Sequence, residues 1–215
     1  MEELDIMEIW KGYESKLNET LQINRQNTLE LTKMKIKSHL VSLKPTKIFT
    51  ILAGIIWVVF LDIIAVVAFY AGNISLLISA VGLTIINKLA IGVYLYHLFL
   101  ISKVGINSNV MEVQDKLARL KVSTLNITKI LFLQFPLWTI FYWGWGMIQY
   151  GNPILWVIQL AITFASIYLS YWLYINIKTE NQDKKWFKLI FVEKEWQAVL
   201  KSQTLLEQIE DYKNY

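Results

Sequence analysis

The chain is predicted to be all-α: a polytopic membrane protein with two transmembrane helical hairpins, four spans in all, and three cytosolic amphipathic helices. Three observations predict this. Four apolar runs, 48–70, 76–101, 130–148 and 154–177, each come close to or exceed the roughly 20 residues that a bilayer crossing needs. The cations fall on one side of those runs: residues 1–47 hold eight of the 21, 102–129 hold five and 178–215 hold seven, with Lys88 the exception. Short loops rich in Lys and Arg stay cytoplasmic, so both termini and the central loop are read as cytosolic and only 71–75 and 149–153 as facing outward. Third, at 55% hydrophobic residues with mean hydropathy +0.39, the composition is too apolar for an ordinary soluble domain of this size.

The expected organisation is an N-terminal cytosolic helix (1–45), a transmembrane hairpin (46–102), a cytosolic linker helix (103–128), a second hairpin (129–178) and a cytosolic tail helix (179–215). In the first segment Trp10, Leu17, Asn24 and Leu31 recur every seven residues beside Leu21 and Thr28, which predicts a long amphipathic helix over 3–44 ending near Pro45. No cleaved signal peptide is expected, because the polar N-terminus delays the first apolar run until Ile48. Gly72-Asn73 and Gly151-Asn152 lie between paired spans and supply tight reversals. Asn109 with Glu112 is a capping pair for the linker helix, whose stripe is Val110, Val113, Leu117, Leu120 and Thr124. Pro136, with Gln134 beside it, is predicted to kink the third span and free a carbonyl. In the tail, Leu189, Val192, Trp196, Val199 and Leu206 share one face. The three apolar stripes are expected to bury against each other as a small cytosolic bundle.

A weak internal repeat accompanies this plan. Thr46-Lys47-Ile48 and Thr128-Lys129-Ile130 open the two hairpins, and Gly72-Asn73 and Thr84 match Gly151-Asn152 and Thr163 at one constant offset. Aromatic residues gather near the span ends, as interfacial belts do.

Chemistry within the apolar runs is confined to a few polar groups. Asp62 and Lys88 lie at matching depth, roughly 20 Å in at about 1.5 Å per residue, on adjacent antiparallel helices, and are predicted to form an intramembrane ion pair. Asn87, Thr84, Tyr142 and Thr163 fall at similar depths and are candidates for a polar layer around it. Small residues at Ala161, Ala165, Ser166 and Ser170 predict close helix contact. No catalytic, cofactor or metal site is expected: the chain has no cysteine, and His39 and His97 have no second ligand at metal spacing. Only two arginines are present, Arg25 and Arg119, and no clustered basic face points to nucleic acid.

The run Ile130-Leu-Phe-Leu-Gln-Phe-Pro-Leu-Trp-Thr-Ile-Phe-Tyr-Trp143, with Lys184-Lys-Trp-Phe-Lys-Leu-Ile-Phe191 and the opening Trp10, Tyr13, Leu17 stripe, resembles an uncharacterised family of bacterial four-span inner-membrane proteins. Some members of such families are encoded near extracytoplasmic-function sigma factors, and the resemblance therefore implies signalling or envelope-stress regulation. It carries no catalytic residues, and the single-span architecture of typical anti-sigma factors is not matched.

The expected function is that of a non-enzymatic protein of the bacterial inner membrane whose cytosolic helices form a regulatory or anchoring surface. Its expected partners are the lipid bilayer and a cytosolic protein, with a homo-oligomer also open, and no nucleic acid. Trp10, Tyr13, Leu17, Trp186 and Trp196 are the candidates for partner contact. An oligomeric channel or small transporter using Asp62 and Lys88 is the alternative, and a lipid- or isoprenoid-modifying membrane enzyme the third reading.

Overall fold

The computed structural model describes residues 2–104, 110–143, 147, 151–191 and 194–214. Among these the chain is all-helical. Its helices are α1 (Glu2–Val41), α2 (Lys44–Tyr70), α3 (Ile74–Ser102), α4 (Val110–Phe132), α5 (Gln134–Ile140), α6 (Pro153–Asn176), α7 (Lys185–Ile190) and α8 (Lys194–Asn214), with a 3-10 turn at Thr179–Asn181. Three helical stretches are long and apolar enough to cross a membrane: Trp10–Tyr70, Ile74–Ser102 and Pro153–Asn176.

The first of these stretches runs from α1 into α2 with only Ser42 and Leu43 between them. Pro45 does not break it further, because it occupies the first turn of α2, where a missing N–H costs no intrahelical bond. Gly72 then reverses the chain at φ +67, a left-handed backbone that an L side chain strains to adopt. Asn73 caps α3 by accepting from Leu76 N–H at 3.1 Å. At the second apolar hairpin Asn152 caps α6 from Ile154 N–H at 3.0 Å, and Pro153 opens that helix. The Asn109 cap lies outside the described residues, as do Trp145 and Tyr150 of the aromatic belts.

The expected third span is not one helix. It breaks at Leu133 between α4 and α5, and residues 144–146 and 148–150 lie outside the described residues. The cause is Pro136: within a continuous helix its ring would meet the carbonyl of Phe132 and it has no N–H to give, a conflict worth about 3 kcal/mol or more. The break converts Pro136 into a first-turn residue of α5, and the carbonyl so freed receives a hydrogen bond from Ser170 Oγ of α6 at 2.8 Å. A second cross-link, Gln159 Nε2 donating to Thr139 O at 2.7 Å, ties α5 to α6 again. Tight crossings use glycine: a Cβ on Gly82 would lie 2.9 Å from Leu137 of α5.

The tail also differs from the single expected helix. It divides into α7 and α8 around Phe191, whose ring stacks on Phe187 at 4.3 Å and meets Trp196 at 4.9 Å. Clustering these rings offsets the few helical hydrogen bonds given up, since aromatic pairs add about 0.5–1.5 kcal/mol each beyond their burial. Leu189 consequently turns away from the stripe and is exposed.

The polar helices pack on one another at one end of the hairpins. Ile36, Leu40 and Leu43 near the end of α1, Leu100 and Ile101 at the end of α3, Val113, Leu117 and Leu120 of α4, and Val199 and Leu206 of α8 form one buried core. Lys116 crosses this junction, donating to the terminal Lys103 carbonyl beyond α3 and pairing with Glu112 at 2.6 Å, where a cation suits the negative end of the helix dipole.

Candidate functional site

Within the first hairpin, Lys88 Nζ of α3 lies 3.1 Å from Asp62 Oδ2 of α2. Both side chains remain about half exposed on the protein surface, 56% for Lys88 and 48% for Asp62, so the pair closes laterally on itself instead of facing a sealed interior. The neighbouring polar groups do not gather around it. Asn87 turns to the other side of α3, donating to Leu83 O at 2.8 Å and to Gln134 Oε1 of α5 at 3.4 Å. Thr163 is buried and donates to Gln159 O of its own helix. Thr84 is buried, while Tyr142 is exposed beside Phe141. Residues adjacent in sequence, such as Asn87 and Lys88, therefore serve two different helix contacts, as the roughly 100° step between successive helical residues requires.

A second polar cluster, missed by sequence reasoning, sits where the apolar hairpins meet the polar bundle. Lys47, at the start of α2, is only 3% exposed and reaches His97 Nδ1 of α3 at 2.8 Å. His97 is fully buried, and its Nε2 lies 2.7 Å from Ser123 Oγ of α4. Ser123 itself donates to Leu120 O. With its only proton so placed, Ser123 accepts from His97 Nε2–H, which leaves Nδ1 as the acceptor for the Lys47 ammonium. The ammonium also lies 4.1 Å from the centroid of the Tyr94 ring, a cation–π contact. Three helices are thus pinned at one height. The signal was present in the sequence, since Lys47 and His97 are equidistant from the Gly72 turn (72 − 47 = 97 − 72) and an antiparallel hairpin sets such residues side by side. Ser123, on a helix far away in sequence, had no comparable signal.

Alongside this cluster Asp115 accepts from Arg119 Nε at 2.8 Å, and this partner first, with Tyr96 nearby, raises the guanidinium above its already high ordinary value. Beside Tyr94 lies a cavity of about 200 Å3, walled by Phe132, Phe191, Trp196 and aliphatic side chains with the hydroxyls of Thr124 and Thr128. Among the described residues that line it, none carries a carboxylate, an amine or an imidazole.

The candidate partner-contact residues fall into two groups. Trp196 is 4% exposed, its surface taken up by the aromatic core, and Trp186 packs edge-on against Trp172 at 4.9 Å while staying partly exposed. Trp10, Tyr13 and Leu17 are open, at 72%, 70% and 60% exposure. All residues from 10 to 28 are exposed, so no side chain of this stretch of α1 is buried. Compared with protein-family models, curated proteins and solved structures, the chain matches none.

Proposed function

We propose that the chain is a non-enzymatic, four-span protein of the bacterial inner membrane whose cytosolic helices, α1 foremost, form a regulatory or anchoring surface for a protein partner, of a signalling or envelope-stress type. The one-sided distribution of Lys and Arg supports cytosolic termini and a cytosolic linker. With both ends inside, the outward turns at 71–75 and 149–153 are too short to build a sizeable receptor, and recognition falls to the cytosolic helices.

The observation that carries the reading is the outer face of α1. In proteins most of a helix's stability comes from packing an amphipathic face against something else. Here Trp10, Tyr13, Leu17 and Leu21 remain exposed, while the opposite end of the same helix is anchored through Leu40 and Leu43. A face of that kind is completed by another protein.

A photo-activatable amino acid at Leu17, introduced in the full chain in living cells, tests this. A discrete covalent adduct with a protein is expected on illumination, and its loss with Trp10→Ala. Absence of any protein adduct at Leu17 and at Tyr13 would contradict the proposal.

A further inference from the structure

The outer face of α1 is not a continuation of the face that packs on the bundle. Ile36 and Leu40 point into the core, whereas Leu31 and Met34, at the same level of the helix, remain exposed. The exposed stripe therefore runs past the point where the bundle begins, from Trp10 to Met34, about 36 Å at 1.5 Å per residue. Its spacing alternates three and four: Trp10, Tyr13, Leu17, then Thr20, Asn24, Asn27, then Leu31 and Met34. That is heptad spacing with first positions at 10, 17, 24 and 31 and fourth positions at 13, 20, 27 and 34, apolar at its two ends and polar in the middle at Thr20, Asn24 and Asn27.

We infer that the occupant of this seam is a second copy of the chain, in a parallel, in-register coiled coil; this rests on the membrane placement and partner role proposed above. Four observations select a second copy over an unrelated helix. None of the eight seam residues is charged, so the face meets its own image without like-charge repulsion. Thr20 satisfies its hydroxyl within its own helix, donating to Lys16 O at 2.8 Å, and leaves its methyl for the seam. Glu30 and Lys35 occupy the flanking positions that lie opposite one another between parallel strands, giving a complementary pair on each side. Finally, α1 passes into α2 with only Ser42 and Leu43 between, so copies inserted the same way in one bilayer present α1 side by side, at one height and pointing the same way. Asn24 then faces Asn24 across the seam, the arrangement by which a single polar first position fixes register and favours two strands.

The absence of cysteine provides the test without background. Single variants Leu17→Cys and Leu31→Cys place a thiol in the seam, while Ser15→Cys and Gln22→Cys place it on the polar back of the helix. A disulfide needs Cα atoms within about 7 Å. Mild oxidation of native membranes is expected to give a species of twice the 25.2 kDa chain from the two seam variants and only monomer from the two back variants. Leu17→Lys added to Leu31→Cys should abolish the dimer while leaving helix content unchanged, because Leu17 is exposed and touches no core. Equal dimer from all four positions, which marks random collision, would overturn the inference, as would monomer from both seam variants. If the Leu17 photo-adduct contains a different protein and the seam variants stay monomeric, the second copy is wrong and the partner role stands. If neither disulfide nor photo-adduct forms, both fall.

Discussion

Ser170 gives its proton to the carbonyl that Pro136 denies to α4, and the pair shows how one polar side chain makes a helix break tolerable in an apolar setting. Removing the hydroxyl with Ser170→Ala should lower stability in detergent by about 1–3 kcal/mol, the cost of leaving a buried carbonyl unmet. Ser166→Ala, on the same helix, serves as the control in thermal unfolding. At the first hairpin the Asp62–Lys88 pair makes a sharper prediction. Asp62→Asn strands a cation at mid-depth, where insertion scales assign roughly 2.5 to 3.5 kcal/mol to a lone charge, and the variant should accumulate poorly in membranes. The double variant Asp62→Asn, Lys88→Leu should recover, and equal accumulation of all three proteins would show that the pair does not matter. Glycine sets a third residue-scale limit: a Cβ on Gly151 would sit 2.1 Å from Met147 O, so Gly151→Ala must displace backbone in the turn before α6.

Among the elements, α1 has one apolar face buried in the bundle and one open, and substitutions should separate them. Leu40→Ala opens the bundle core and should cost about 2–5 kcal/mol in chemical denaturation. Leu17→Asp, on the open face, should leave that stability within about 0.5 kcal/mol yet remove the photo-adduct formed from a probe at Tyr13. The junction cluster behaves differently again. Replacing His97 by Ala removes an acceptor of a buried ammonium, and Lys47→Met in the same chain should restore part of the loss because that ammonium is then gone.

How much of this was legible in the sequence varies with the range of the signal. The turns were readable because Gly72 and Asn73 are local instructions, one supplying the left-handed φ and the other the cap. The ion pair was readable because Asp62 and Lys88 flank that same turn within one hairpin. The tail break at Phe191 was not, since it depends on rings of α7 and α8 meeting Trp196, and heptad spacing alone merged the two helices. Tyr142 and Asn87 share a depth with the ion pair but not a direction, because depth along a helix says nothing about which neighbour a side chain meets. Trp196 looked like a contact residue for the same reason that it proves a core residue: a large aromatic on an amphipathic stripe suits either environment.

On the scale of the whole molecule, polar helices gather at one end of apolar hairpins, and the buried Lys47–His97–Ser123 cluster marks the boundary between the two parts. The free length of α1 gains a function only if that end lies in the cytosol, where a protein or a second copy can reach it. Side-specific labelling of single cysteines is the most direct measurement, because the native chain has none. With a membrane-impermeant maleimide on intact spheroplasts, Asn152→Cys should react, whereas Ser15→Cys and Arg119→Cys, both at exposed positions, should react only after the membrane is opened. Labelling of Ser15→Cys or Arg119→Cys in sealed spheroplasts would contradict the account.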